Sequence, residues 1–337
     1  MRMVYAGSPA IAVPALRALA ALALEAGPPA AAPVGSAAGS GGFELAAVLS
    51  NPDSPRGRSA KPEPTALAAA AAALGPEFEG AGLRPPVILK PEKLGARARE
   101  ELGALGPDLL ISFAYGRIFG PKFLALFPLG GLNIHPSLLP AYRGPTPIPQ
   151  AILNRDRETG ISIQRLALRM DCGDILAQEA FPLDGGETAA SLTEEMARRA
   201  AALLPPVLRN LGALVPRPQD DEKASYCTLL SKEDGRIDWA RSALGIEAQI
   251  RAYTPWPLSW TLDGDQYLYI LQAAVLGEGD PGVPPGTVLG IDRGRGILVQ
   301  TGDGALAVSM LQYRARKALE WRAFLNGVRD FVGRRLG

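Results

Sequence analysis

The only histidine of this chain, His135, stands in the run Asn133-Ile134-His135-Pro136-Ser137-Leu138-Leu139-Pro140, and two carboxylates follow in Met170-Asp171-Cys172-Gly173-Asp174. Imidazole is the one side chain whose ordinary pKa lies near neutrality, so an imidazole beside an amide, with carboxylates on a later loop, is a kit for acid–base chemistry. The same histidine would serve equally as a hydrogen-bonded core residue, and its presence alone does not choose between the two. Metal chemistry is disfavoured. One histidine, scattered carboxylates and two cysteines, Cys172 and Cys227, without Cys-x-x-Cys spacing give no ligand cluster, so no metal is expected.

The elements that must position these residues are short. The turn cluster Pro128-Leu129-Gly130-Gly131 should launch a buried strand over 132–135, and Pro136, Pro140 and the pair Arg143-Gly144 forbid its continuation. Asn133 and His135 therefore sit at the carboxyl end of a strand, two residues apart and on one face. In an open α/β sheet that edge is where ligands bind.

Strand patterns at 1–6, 43–49, 86–89, 108–113, 131–135, 160–166 and 175–181 alternate with helical patterns over 10–26, 65–74 and 91–102. This alternation predicts an α/β fold, a Rossmann-like doubly wound parallel sheet. The first turn, Ala6-Gly7-Ser8-Pro9, lacks Gly-x-Gly-x-x-Gly, so no dinucleotide is expected. A long helix should run from near Thr188 toward Leu211, kinked or interrupted at Pro205-Pro206. Residues 27–42, dense in Ala, Gly, Pro and Ser, read as a flexible surface connection.

At 337 residues the chain can hold two cores. The polar, proline-bearing stretch 216–226 is the expected linker between a domain over 1–215 and a smaller one over 227–337. A chain cut near 215 is then expected to fold alone. Five short strands near 258–262, 266–275, 286–291, 296–301 and 304–311, separated by Asp-Gly, Pro-Gly and Arg-Gly turns, suggest a partly closed, OB-like β-barrel in the second domain. Apolar residues make up 47% and the net charge is +1, so charge gives no pointer to nucleic acid. The start reads as strand and turn rather than a secretory signal. Residues 10–26 include Pro14, Arg17 and Glu25 and read as a helix on a sheet, and a reducing cytoplasm is the expected location.

The run from Asn133 to Pro140 resembles the signature Asn-x-His-x-Ser-Leu-Leu-Pro of the 10-formyltetrahydrofolate-dependent formyltransferases, and Asp171-Cys172-Gly173 resembles their downstream Asp-x-Gly loop. The resemblance extends to residues 1–9, to 51–58, to Phe113-Ala114-Tyr115-Gly116-Arg117-Ile118 and to 250–257. It points to the branch that formylates methionine on initiator tRNA for translation initiation, and it implies the formyltransferase fold followed by a tRNA-binding OB-like domain. It makes Asn133, His135 and Asp171 the catalytic set. Asn133 would donate to the oxyanion, as would His135 if protonated, and Asp171 would raise the imidazole pKa or take the amine's proton through a water.

The same resemblance assigns Ser137, Leu138, Leu139 and Pro140 to 10-formyltetrahydrofolate, through peptide groups left free by proline-stiffened backbone. It leaves Tyr115, with Gly116, Arg117 and Ile118, either at the pterin pocket or as a strand-end aromatic turn. Asp174 reads as a loop residue bonding nearby N–H groups. Arg143 reads either as a phosphate ligand or as an arginine tying its loop down. Arg56, Arg58 and Lys61 lie in the segment that the resemblance sends into the tRNA acceptor stem, and seven basic against two acidic residues over 311–337 fit a tRNA backbone. The partners expected are initiator methionyl-tRNA and the folate, with the protein a monomer and no membrane involved. The alternatives are an amino-sugar-nucleotide formyltransferase with the same cofactor and a non-catalytic RNA-binding protein.

Overall fold

The computed structural model of the protein describes residues 1–27, 42–55 and 61–337. The expected flexible connection at 27–42 and the two arginines Arg56 and Arg58 thus fall, save for Gly27 and Gly42, outside the described residues. The chain divides into two compact units. The first comprises Met1–Pro145, Thr159–Phe181 and Thr193–Cys227, and the second Thr146–Glu158, Pro182–Leu192 and Thr228–Gly337. Both are discontinuous in sequence. Residues 216–226, expected as a linker, lie within the first unit, since Arg217 exchanges both backbone hydrogen bonds with Ile175 and Cys227 donates to the Arg143 carbonyl.

In the first unit the strands are β1 Arg2–Ala6, β2 Glu44–Leu49, β3 Ser54–Pro55, β4 Pro62–Glu63, β5 Val87–Leu89, β6 Leu109–Ser112, β7 Gly131–His135, β8 Glu158–Arg165 and β9 Ile175–Pro182. Seven of them form one sheet in the order β5-β2-β1-β6-β7-β8-β9. Both faces are covered, so β1 and β6 are apolar almost throughout, as buried parallel strands must be. The pairs β5/β2, β2/β1, β1/β6 and β6/β7 are parallel, as expected, whereas β8 runs antiparallel to β7. A parallel β8 would need a crossover helix packed back on the sheet. The helix between β7 and β8, Pro147–Leu153, packs instead against the helix Ala243–Tyr253.

The helix Ala66–Ala73 starts at Thr65, whose hydroxyl accepts the Ala68 N–H and bonds the Ser50 hydroxyl at 2.6 Å. The helix Ala96–Gly103 begins five residues later than the pattern predicts, after Gly95. The helix Ala189–Arg209 passes through Pro205 and Pro206 without the interruption expected there.

The second unit holds β10 Ser259–Asp263, β11 Gln266–Leu276, β12 Val288–Asp292, β13 Gly296–Gln300, β14 Ala305–Tyr313 and β15 Leu319–Glu320. Its antiparallel path is β10-β11-β14-β13-β12, with β15 on β14. Among the described residues no ladder joins β12 back to β10, so the barrel is partly open. Its core gathers Trp239, Ile246, Leu268, Ile270, Ile297, Val308, Phe324 and Phe331. Of the seven basic residues near the end of the chain, Arg334 is tied to Asp263 at 2.9 Å and Arg322 to Glu320 at 2.8 Å.

Candidate active site

The register of β7 and β8 sets the site. Asn133 lies opposite Gln164 and His135 opposite Ser162, so the two amide side chains emerge side by side on one face. Both grip the same carboxylate: Asp171 Oδ1 accepts from Asn133 Nδ2 at 3.2 Å and from Gln164 Nε2 at 3.0 Å. Asp171 Oδ2 accepts the Gly144 N–H at 2.9 Å and lies 3.6 Å from His135 Nδ1. Asp171 itself has φ 53°, a left-handed conformation that few residues other than glycine adopt. The structure therefore brings Asn133, His135 and Asp171 together, as expected, and adds Gln164, which no motif or spacing in the sequence singles out.

The Asp-x-Gly spacing has a steric cause. A Cβ on Gly173 would stand 1.8 Å from the Arg165 carbonyl oxygen, because the loop closes where Arg165 N–H bonds the Asp174 carbonyl at 2.8 Å. We expect Gly173→Ala to destabilise the protein by about 2–3 kcal/mol through this backbone clash, read as a lowered thermal unfolding midpoint. An unchanged midpoint would mean the loop is not held this close to β8.

His135 is 4% exposed. Burial depresses its pKa below 6.5, against smaller upward pulls from the Asp171 carboxylate and from the Tyr142 carbonyl bonded to Nε2 at 2.8 Å. A carbonyl only accepts, so Nε2 carries the proton and Nδ1 turns a lone pair toward Asp171. With its pKa held below 6.5 by burial, the resting ring is neutral at neutral pH, which fills in a protonation state that the sequence left open.

The segment Ser137–Pro140 also differs from its expectation. Its carbonyls accept from Ser162 Oγ, the Ala141 N–H, Gln178 Nε2 and the Ser225 N–H in turn. Ser137 N–H bonds the His135 carbonyl and Leu139 N–H bonds Ser162 Oγ. Only the Leu138 N–H has no bond to another described residue, so the peptide groups rigidify the segment instead of standing open.

Tyr115 is 2% exposed, stacked on Phe119 at 5.4 Å within a core cluster of the first unit, and its hydroxyl has no partner among the described residues. Its ring is a core aromatic. Gly116 and Ile118 are exposed, Ile118 by 74%, and Arg117 is anchored to the carbonyls of Pro91 and Glu92 at 2.9 and 2.8 Å. These residues follow β6, whose last residue Ser112 pairs with Asn133.

Arg143 is 1% exposed and bonds Asp221, Tyr226 and Gln219, which settles it as the arginine that ties its loop down. Asp174 is exposed, and its carboxylate meets no partner among the described residues, contrary to the expected bonds to nearby N–H groups. Lys61 is exposed beside the β3/β4 pair. Among the described residues no group of three His, Cys, Asp or Glu side chains could hold a metal, and no helix is long and apolar enough to cross a membrane.

Against known proteins, the formyl transferase family model matches residues 26–208, and the model of the formyl transferase C-terminal domain matches 229–329. The chain is 45% identical over 340 residues to the methionyl-tRNA formyltransferase of Treponema denticola, covering 98% of each. Among solved structures, the sugar 3N-formyl transferase WlaRD, determined in the presence of dTDP and 5-N-formyl-THF, aligns with TM-score 0.61 at 17% identity over 94% of this chain and 99% of that one. HypX from Aquifex aeolicus in complex with tetrahydrofolic acid aligns with TM-score 0.53 at 19% identity over 79% of this chain, which spans under half (46%) of HypX. At such identities the two structures report the fold alone.

Proposed function

The chain belongs to the methionyl-tRNA formyltransferases of the formyl transferase family, and on that premise we propose how its residues move a formyl group from 10-formyltetrahydrofolate to the methionine amine of initiator tRNA. The observation that carries the reading is the carboxylate of Asp171, held by two facing amides and set 3.6 Å from a neutral imidazole at the carboxyl end of β7.

The free amine attacks the formyl carbon, the C–N bond forms, and the carbonyl electrons move to oxygen. One Asn133 N–H goes to Asp171; the other has no partner among the described residues and is the donor for that oxyanion. The proton lost by the amine goes to the Asp171–His135 pair. On His135 Nδ1 it makes an imidazolium that Asp171 stabilises and that adds positive charge beside the oxyanion. The oxyanion then collapses, the bond from the formyl carbon to N10 breaks, and the pair returns the proton to N10. Attack and departure thus use one proton, passed in and out by the same two side chains. The folate fits along Ser137–Pro140 and the exposed turn Gly116–Ile118, with Leu138 supplying apolar contact and a free N–H.

The second unit is the tRNA-binding part, and Arg56, Arg58 and Lys61 hold acceptor-stem phosphates. On this reading the enzyme works in the cytoplasm, where translation starts, and as a monomer. Tetrahydrofolate chemistry needs no metal in this scheme.

The test is formyl transfer from 10-formyltetrahydrofolate to charged initiator tRNA, charged elongator tRNA and an amino-sugar nucleotide. Transfer to the nucleotide alone would overturn the reading. Removing Arg56 and Arg58 together should raise the KM for charged tRNA several-fold without changing folate affinity. Raising salt should weaken tRNA binding steeply in the wild type and less so in the double variant, because fewer counterions are released. A flat salt response in both would remove tRNA as the partner.

A further inference from the structure

Behind the Asp171 loop, Gln219 and Arg143 form a hydrogen-bond chain that the reaction scheme does not use. Arg143 Nε donates to Gln219 Oε1 at 3.0 Å. Gln219 Nε2 lies 3.1 Å from Gln164 Oε1, 2.9 Å from the Asp171 carbonyl and 2.7 Å from the Gly173 carbonyl. Gln164 Oε1 also accepts the Gly173 N–H at 3.1 Å, while its Nε2 donates to Asp171 Oδ1 at 3.0 Å.

A guanidinium only donates and an ionised carboxylate only accepts, so neither glutamine can be flipped without setting like against like. Every bond in the series therefore runs one way: Arg143 to Gln219, Gln219 to Gln164, Gln164 to the carboxylate. Bonds aligned in this manner polarise one another, and the series begins on a buried cation. That cation is fixed at its other end by Asp221 Oδ1 at 2.7 Å and the Tyr226 hydroxyl at 3.0 Å. Gln219 thus grips the backbone on both sides of Cys172 and, through Gln164, one oxygen of the carboxylate.

We propose that Gln219 is a positioning residue for the formyl-transfer reaction: through Gln164 and the carbonyls of Asp171 and Gly173 it holds the Asp171 loop in its left-handed turn and keeps the Gln164 N–H aimed at the carboxylate. This rests on the function proposed above and deepens it.

The test is Gln219→Glu, a near-isosteric change that keeps the acceptor facing Arg143 but sets a second acceptor against three others. Gln164 can then bond it only by turning its N–H groups away from Asp171. In the full-length enzyme, with turnover counted per tetrahydrofolate-binding site, we expect kcat to fall by about 30–100-fold, the scale of a small misplacement of a reacting group. KM for 10-formyltetrahydrofolate and for charged initiator tRNA should stay within about threefold, since the residue touches neither.

Gln164→Leu should give a loss of similar size, and the double variant little more than either alone, because the two act in series. If Gln219→Glu leaves no folate-binding sites, Gln164→Leu carries the same expectations. A kcat per site equal to wild type would overturn the proposal, as would a loss carried by KM instead of kcat or fully multiplicative losses in the double variant. A wild-type enzyme that transfers no formyl group to charged tRNA would overturn the functional reading instead, whatever the variants do.

Discussion

Asp171→Asn should reduce turnover by about 10²–10³-fold, within the range that a positioned general base contributes. The substitution is close to isosteric, but the site is built for a group with acceptors only. Asp171 receives three N–H donors, from Asn133, Gln164 and Gly144, shared between its two oxygens. An amide offers one oxygen and places an NH2 group against at least one of those donors. The substitution therefore removes the proton acceptor and sets donor against donor. Folate affinity should change by no more than a few-fold, because the Ser137–Pro140 segment is held by Ser162, Gln178 and Ser225 and not by Asp171. Asp174→Asn is the internal control. Its carboxylate is exposed and without a described partner, so both turnover and stability should stay near wild type, with stability within about 0.5 kcal/mol. If the two variants exchanged behaviours, the base would be Asp174.

His135→Ala should lower turnover by at least about 100-fold with little change in folate binding, because a donor that gains its charge during the reaction acts mainly in the transition state. Activity within a few-fold of wild type would return His135 to the role of a core residue. The same side chain has a second signature in stability. Burial lowers its pKa in the folded protein below the unfolded value of 6.5, so the unfolded chain binds the proton more tightly. The contribution of the neutral ring to stability is complete above that value and declines as pH falls through the interval beneath it. No other histidine exists in the chain to blur the effect. The thermal midpoint should fall between pH 7.5 and pH 5.5 in the wild type and fall less in His135→Gln, which removes the titrating group while keeping a donor for the Tyr142 carbonyl. An equal decline in both would show that His135 is not buried in its neutral form.

Much of the sheet was legible in the sequence because its strands are buried on both faces and bracketed by breakers. Strand β7 was bounded to the residue at its end by Pro136, and within one residue at its start by the turn cluster Pro128-Leu129-Gly130-Gly131. The direction of β8 was not legible, since an alternating strand pattern such as Gly160-Ile161-Ser162-Ile163-Gln164 reads the same either way along a sheet. Gln164 was hidden for that reason: only the antiparallel register sets it opposite Asn133. Gln219 was hidden differently. The composition of 216–226 is equally that of a loose linker and of a polar segment hydrogen-bonded into a fold, and the Gln219 partners lie 48 and 55 residues away. Asn133, His135 and Asp171 were legible through a resemblance; their roles needed geometry, because the tautomer and charge of His135 follow from burial and the Tyr142 carbonyl.

The backbone pairing of Arg217 with Ile175 also has a temporal side. A ribosome adding roughly 5–20 residues per second delivers Gln219 some 2–10 s after Asp171. Through that interval the nascent chain presents β9 as an edge whose Ile175 N–H and carbonyl await Arg217, and its Asp171 loop lacks the glutamine that grips it. Unpaired strand edges can recruit other chains, and the arrival of Arg217 closes that risk at Ile175, where the loop's base meets the sheet. A protein shortened to residue 215 would lack the Arg217 pairing and the Gln219 grip permanently, so its Asp171 loop would rest on fewer bonds.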